Sequence, residues 1–171
     1  MRRNLLLAFA VASLIASACG RSPIVSGGPP ASESTSTASA ATNVPHILFP
    51  DGYGVKVEIA ADEPTREQGL MFRDRLPDAT GMIFIFPQSG EYPFWMKNTL
   101  IPLDMVWIDE GHKIVHVAHD VPPCQADPCP SYAPNATAKY VLELAAGVAK
   151  QHGLKDGDTL RMIGLDQVIV R

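Results

Sequence analysis

Short apolar segments separated by turn-forming residues dominate the sequence from residue 55 onward. Residues 55–60 (VKVEIA) alternate between apolar and polar, as a half-buried strand does. Residues 81–86 (GMIFIF) form an unbroken apolar run that indicates a buried strand. Further strands are predicted over 92–97, 103–109, 113–119, 140–144, 159–163 and 168–170. Short, closely spaced strands with little helix predict a mostly β fold, a single compact barrel or sandwich of antiparallel or mixed strands.

One or two short helices are expected beside the strands. The acids and the proline of Asp62-Glu63-Pro64 are typical of a helix start, and Gly69 is suited to end that helix. One or two further helical turns are predicted over 147–152. Five prolines within residues 121–134 predict a loop there.

The N-terminal residues carry an export pattern. Arg2 and Arg3 precede the apolar run LLLAFAVASLI, which is shorter than the ~20 residues of a membrane-spanning helix and fits a signal peptide. The small residues that follow lead into Cys19 and resemble a bacterial lipoprotein lipobox, which predicts cleavage after residue 18 and acylation of Cys19. The alternative is an ordinary signal peptide cut after Ala18, with Cys19 unmodified. Both interpretations export the chain.

Residues 19–43 are predicted to be a flexible tether. They consist mainly of Ser, Thr, Ala, Pro and Gly, a composition that buries too little apolar surface to fold. A coil of this length spans about 27 Å. The expected organisation is a signal peptide over 1–18, a lipid-anchored tether over 19–43 and a β domain over 44–171. We expect the domain outside the cytoplasm, anchored to the cell membrane or, in a host with two membranes, the outer membrane, which Gly20 favours.

The charge balance argues against nucleic acid as a partner. The whole chain carries a net charge of −4, from 14 basic and 18 acidic residues. Removal of Arg2 and Arg3 with the signal peptide makes it 12 − 18 = −6. Proteins that bind nucleic acid usually carry a basic face. An acidic chain is not attracted to an anionic membrane surface, so we expect the lipid to hold it at the membrane. We also expect the protein to be a monomer.

Cys124 and Cys129 lie in the proline-rich loop. In an exported domain two cysteines this close are expected to pair, and a ring this small contributes only ~2 kcal/mol. The pair would fix the loop rather than the core. A redox dithiol and a zinc site are the alternatives. The first usually has a C-x-x-C spacing, which is absent from the sequence, and the second needs four ligands.

Several motifs in one order carry a family resemblance. They are EQGLMFR (67–73), LPDATGMIFIF (76–86), FWMKNTLIPLDMVWID (94–109), YVLELAAG (140–147) and GLKDGD (153–158). Together they closely resemble the family named Domain of Unknown Function 192, from about Val55 to Ile163. The resemblance implies a compact, mostly β domain that is often exported. It implies no activity and brings no catalytic residues.

The segment FWMKNTLIPLD suggests a site. On a strand, Phe94 and Met96 face one way while Trp95 and Lys97 face the other. Polar groups beside an aromatic ring are typical of small-molecule sites. We therefore expect a binding face for a polar small molecule or glycan. Its candidate residues are Arg73, Trp95, Lys97, Asn98, Asp104 and Tyr132. The alternative is that Asn98 and Asp104 only cap a turn.

The sequence favours a non-enzymatic binding or accessory role in the envelope but leaves the enzyme question open. It contains no G-x-S-x-G, H-E-x-x-H or phosphate-loop motif, and no cofactor is predicted. One alternative is a hydrolase of envelope glycans that uses Asp104 and Glu143 as a carboxylate pair. Another is a structural partner of a second envelope protein, which would expose an apolar patch. Glu143 itself, within an apolar strand, is predicted either to face water or to pair with Arg66 or Arg73.

Metal binding is disfavoured. His112 and His116 share one strand face while His119 lies on the other, because side chains alternate with a period of two. Copper bound by methionines and a histidine is the least favoured function, since methionine beside aromatic rings usually fills a core. The methionines concerned are Met71, Met82, Met96 and Met105.

Overall fold

The computed structural model describes residues 44–171. The predicted signal peptide, Cys19 and the tether lie outside the described residues. Within 44–171 the strands are β1 (His46–Leu48), β2 (Gly54–Ala60), β3 (Thr80–Gly90), β4 (Phe94–Trp95), β5 (Leu103–Ile108), β6 (Ile114–Val121), β7 (Ser131–Tyr132), β8 (Ala138–Ala145) and β9 (Arg161–Ile163). The helices are α1 (Glu63–Gln68) and α2 (Val148–Gln151). In this part of the chain no helix has the length and apolarity that a membrane span requires.

Seven strands form one curled half-barrel sheet. Their order is β6-β5-β8-β3-β2-β1-β9, and β4 and β7 form a separate two-stranded sheet. The β2–β3 pair is parallel, whereas the other pairs are antiparallel. The prediction of a compact, mostly β fold with mixed strands and two short helices is confirmed.

Both faces of the central strands are covered, which explains the unbroken apolar runs. All six residues of β5 are buried, and strands covered on both faces lose the apolar–polar alternation. The first core, on one face, includes Ile83, Val106, Leu142 and Ala149 of α2. The second core, on the other face, includes residues of the same strands together with residues of the flanking loops. Its members include Met82, Phe84, Met96, Met105, Trp107 and Val141.

Helix α1 begins and ends where the sequence predicts. The Asp62 side chain accepts a hydrogen bond from the Thr65 backbone N–H at 3.0 Å, and the Thr65 hydroxyl oxygen accepts one from the Asp62 N–H at 3.3 Å. This reciprocal pair is a capping box. Gly69 then adopts a positive φ of 47° at the helix end, a conformation that glycine adopts readily.

Two predicted strands need correction, and one observed strand has no counterpart among the predictions. Of the strand predicted over 92–97, only Phe94–Trp95 forms a ladder, because its partner is the two-residue strand β7 within the proline-rich loop. The predicted strand at 168–170 is absent; its valines pack on the first core without a ladder. Strand β1 was not predicted. The loop also holds Cys124 and Cys129 in disulfide-compatible positions, with Cα atoms 5.6 Å apart.

Candidate functional site

A groove runs between α1 and residues 92–98; we call it the α1 groove. One end is a cavity of about 570 Å³ and the other a cavity of about 400 Å³. Arg66, Glu67 and Trp95 line both cavities. Small-molecule sites usually measure roughly 300–1,000 Å³, so the groove is large enough for a ligand of that class.

Trp95, Lys97 and Asn98, three of the predicted site residues, lie together at the larger end of this groove. The alternation predicted for this segment holds, since Trp95 is 52% exposed and Met96 only 1%. The Lys97 ammonium lies 5.2 Å from the centre of the Trp95 ring, within cation–π range. An exposed aromatic ring with polar neighbours is therefore available to a ligand.

The turn after Lys97 is tied to the loop after α1. Asn98 has a φ of 57° and Phe72 a φ of 63°, and the Phe72 N–H donates to the Asn98 carbonyl at 2.8 Å. Phe72 and Leu100 are both largely exposed. Two residues in left-handed conformations, bonded to each other, fix the position of the groove rim.

Arg66 forms a fixed wall of the groove. Its guanidinium donates to the carbonyl oxygens of Ile85 at 3.0 Å and Arg171 at 2.7 Å, and it pairs with Glu63 at 3.1 Å. Its guanidinium carbon also lies 5.5 Å from the centre of the Phe86 ring. A pair with Arg66, one of the alternatives predicted for Glu143, is therefore not formed.

At the inner side of the α1 groove lies a recess of about 30 Å³; we call it the recess. It shares Arg66, Glu67, Met71, Trp95 and Lys97 with the larger cavity. Its lining adds Phe84, Phe94, Thr99 and Glu143. The groove therefore reaches a buried carboxyl group through an aromatic-lined recess.

Glu143 is buried at this recess, and within residues 44–171 its Oε2 has no hydrogen-bond partner. It lies on β8 directly between Met82 of β3 and Met105 of β5, and only 5% of the residue is exposed. Burial raises the pKa of Glu143 to about 8, and the charge of Arg73 opposes this rise. A carboxyl group in such surroundings favours its neutral form near neutral pH.

Arg73 acts on Glu143 through its charge but bonds another residue. Both of its terminal nitrogens donate to the Glu58 carboxylate, one of them at 2.7 Å. Glu58, Met82 and Glu143 are opposite one another across β2, β3 and β8. The hydrogen bonds to Arg73 lower the pKa of Glu58. Arg73 thus belongs to the surroundings of Glu143 but does not line the α1 groove.

Asp104 lies on the other face of the sheet and has a structural role. It is fully buried, and its two oxygens accept hydrogen bonds from the backbone N–H groups of Asp120 and Ala149, both at 2.8 Å. Asp104 pairs with Leu144, the residue next to Glu143, so the two carboxylates project from opposite faces. The hypothesis of a hydrolytic Asp104–Glu143 pair is wrong for this reason.

Tyr132 contributes to a different cavity. It pairs with Phe94 across β4 and β7 and lines, with Met96 and the proline-rich loop, a cavity of about 460 Å³. Phe94, its partner in this sheet, lines the recess, whereas Tyr132 does not. Tyr132 therefore lies outside the lining of the α1 groove.

The methionines and histidines form separate groups. Met82, Met96 and Met105 are buried in the second core, and Met71 lines the recess. His116 lies against Trp107, and His112 lies against Tyr140. Among residues 44–171 no three His, Cys, Asp or Glu side chains converge as a metal site.

A family comparison identifies the domain. The model of Domain of Unknown Function 192, described as an uncharacterised ACR, matches residues 47–162. The chain belongs to this family. Comparison with curated proteins finds no match.

Two crystal structures resemble this family member. One, described as a candidate transcription regulator from Sinorhizobium meliloti 1021, is 33% identical, with a TM-score of 0.61 over 69% of this chain and 91% of that one. The other is a protein of unknown function from Novosphingobium aromaticivorans DSM 12444. It is 28% identical, with a TM-score of 0.61 over 68% of this chain and 82% of that one. The family and these neighbours support the fold.

Proposed function

We propose that this protein is exported, anchored by a lipid on Cys19, and binds a polar small molecule or glycan in the α1 groove. The observation that carries the binding function is Glu143. A buried polar group without a partner is destabilising, and most such groups in native proteins are hydrogen-bonded. A ligand in the α1 groove would supply the missing partner.

The groove wall supports a glycan as the ligand class. The exposed Trp95 ring offers an apolar face beside the polar Lys97, Asn98 and Glu67 side chains. Ligand sites combine apolar surface with a few polar groups that fix orientation. The export pattern before residue 20 supports this ligand class, because an exported groove would meet envelope glycans.

The tryptophan content gives a direct test. The sequence has two tryptophans; Trp95 lies in the groove, whereas Trp107 is fully buried and donates its indole N–H to the Tyr92 carbonyl at 2.8 Å. We would titrate the exported Cys19→Ser chain with the tetramer of N-acetylglucosamine and record the two indole N–H signals by NMR. The Trp95 signal should shift saturably and the Trp107 signal should stay.

A matched variant gives the control. Trp95→Ala should abolish binding of the tetramer and leave the melting temperature nearly unchanged, because Trp95 is half exposed. A Trp95 signal that does not respond to the tetramer would contradict the glycan proposal. A large loss of stability in Trp95→Ala would instead indicate that Trp95 serves the core.

A further inference from the structure

We propose that the recess at Glu143 binds a primary ammonium group of the ligand. The inference rests on the ligand-binding function proposed above and adds the chemistry of the bound group. It would make the ligand an amine, such as an amino sugar or an alkylamine, whose body lies in the α1 groove.

The recess combines the features that attract a cation. Glu143 Oε2 is a buried acceptor that receives no hydrogen bond from the described residues, and an ammonium group carries three donors and no acceptor. Phe84, Phe94 and Trp95 contribute aromatic side chains to the same lining, and aromatic faces attract cations. A carboxylate within an aromatic lining therefore favours an ammonium group over a neutral one.

The cations of the protein nearest the recess have other partners. Arg73, in the loop after α1, is paired with Glu58 of β2. Arg66 of α1 donates to two backbone carbonyls, and Lys97 lies over Trp95. Within the described part of the chain, none of the three donates a hydrogen bond to Oε2 of Glu143. The recess lining also includes one acidic residue of helix α1, the exposed Glu67.

The size of the recess restricts the group that it holds. A cavity needs roughly 10–15 Å³ to hold one water molecule, and the recess measures about 30 Å³. One ammonium group with its first carbon fits this space. A trimethylammonium group, which has one nitrogen and three methyl carbons, is too large for this space.

The ionisation of Glu143 gives the proposal a distinct pH signature. Burial holds the pKa of this carboxyl at about 8 in the free protein, and an ammonium group prefers the ionised form. Binding therefore releases a proton, and affinity rises as the pH increases toward ~9. A hydroxyl or carbonyl accepting from neutral Glu143 would show the opposite trend.

The test uses n-butylammonium and n-butanol, which differ in the terminal group. The exported Cys19→Ser chain would be titrated with each while the Trp95 indole signal is followed. We expect n-butylammonium to bind at least ~10-fold more tightly than n-butanol at about pH 8.5, as expected for one hydrogen bond to a charged group. The affinity should rise between about pH 6 and 9, where alkylammonium groups stay protonated. Butyltrimethylammonium should bind at least ~10-fold more weakly than n-butylammonium.

Two variants locate the effect. Glu143→Gln keeps the side-chain shape and should lose at least ~10-fold in n-butylammonium affinity, whereas Glu110→Gln, at an exposed turn that lines neither the groove nor the recess, should lose less than ~3-fold. If Glu143→Gln does not fold, the pH dependence of the unmodified groove decides the matter.

The outcomes separate the two proposals. Equal binding of n-butanol, or affinity that falls with pH, would overturn the ammonium site; a Trp95 response to the N-acetylglucosamine tetramer would then still support the glycan groove. Binding of n-butylammonium without binding of the tetramer would support the ammonium site and overturn the glycan as ligand class.

Discussion

Asp104 and Glu143 lie on the neighbouring strands β5 and β8, and their buried carboxyl groups project from opposite faces of the sheet. Both oxygens of Asp104 accept backbone hydrogen bonds, whereas Oε2 of Glu143 has no hydrogen-bond partner in the part of the chain that the structure describes. The same side-chain chemistry therefore has two roles. Asp104 stabilises the fold, whereas Glu143 offers the acceptor that we propose for the ligand.

Asp104→Ala should destabilise the domain strongly without affecting the α1 groove. The substitution leaves the N–H groups of Asp120 and Ala149 without their acceptor, and each such loss costs about 1–3 kcal/mol. We expect a loss of about 3 kcal/mol in the free energy of unfolding, measured by urea denaturation. Glu110→Gln, at an exposed turn, is the control and should change stability little. A loss as small as that of the control would contradict the structural role of Asp104.

Glu143 should make the domain less stable as the pH rises. Its carboxyl has an ordinary pKa of 4.5, and the fold raises it to about 8, so the folded state binds more protons than the unfolded state between these values. The contribution of Glu143 to the free energy of unfolding is fully present below about pH 4.5. It is lost as the pH rises to about 8, by about 1.4 kcal/mol for each pH unit. Glu143→Gln should remove this dependence and be more stable than the unmodified protein at about pH 8.

Urea denaturation at several pH values measures this effect. The difference in unfolding free energy between Glu143→Gln and the unmodified protein should grow with pH across this window. A constant difference would show that Glu143 titrates alike in the folded and unfolded chain. Glu67→Gln, whose side chain is exposed, serves as the control.

The features that the sequence predicts well depend on near neighbours along the chain. The capping box of α1 spans Asp62 to Thr65, and the alternation of Trp95 and Met96 follows from strand geometry alone. The apolar run is buried on both faces from residue 81 to residue 85, as its composition predicts. Such signals need no knowledge of which strands pair.

The features that the sequence could not predict depend on distant pairing. Asp104 bonds residues 16 and 45 positions away, which a local pattern does not reveal. The apolar residues around Glu143 predict that its strand is buried. They do not predict that the Glu143 side chain itself is buried, because this depends on its position between β3 and β5. Strand β4 is shortened because its partner β7 lies in the proline-rich loop. The recess follows from these pairings together.

Arg73→Gln should raise the pKa of Glu143 above its value in the unmodified protein. The positive charge of Arg73 lowers that pKa, and its removal leaves burial unopposed. Stability should change by only about 0–1 kcal/mol, because the Arg73–Glu58 pair is partly exposed. Carbon-13 NMR titration of the Glu143 carboxyl measures the shift, with exposed Arg75→Gln as the control. An unchanged Glu143 titration would place the Arg73 charge too far away to act.

Cys19→Ser should release the protein from the membrane fraction. The lipobox-like segment before Cys19 predicts acylation of its sulfur, and stable anchoring requires two membrane signals such as a pair of acyl chains. Cells fed an alkyne-labelled fatty acid should label the unmodified protein and not Cys19→Ser. The double variant Cys124→Ser and Cys129→Ser should keep the label, because it retains Cys19. A Cys19→Ser chain that remains labelled and membrane-bound would contradict the anchor, whereas an unlabelled but exported unmodified chain would support the ordinary signal peptide.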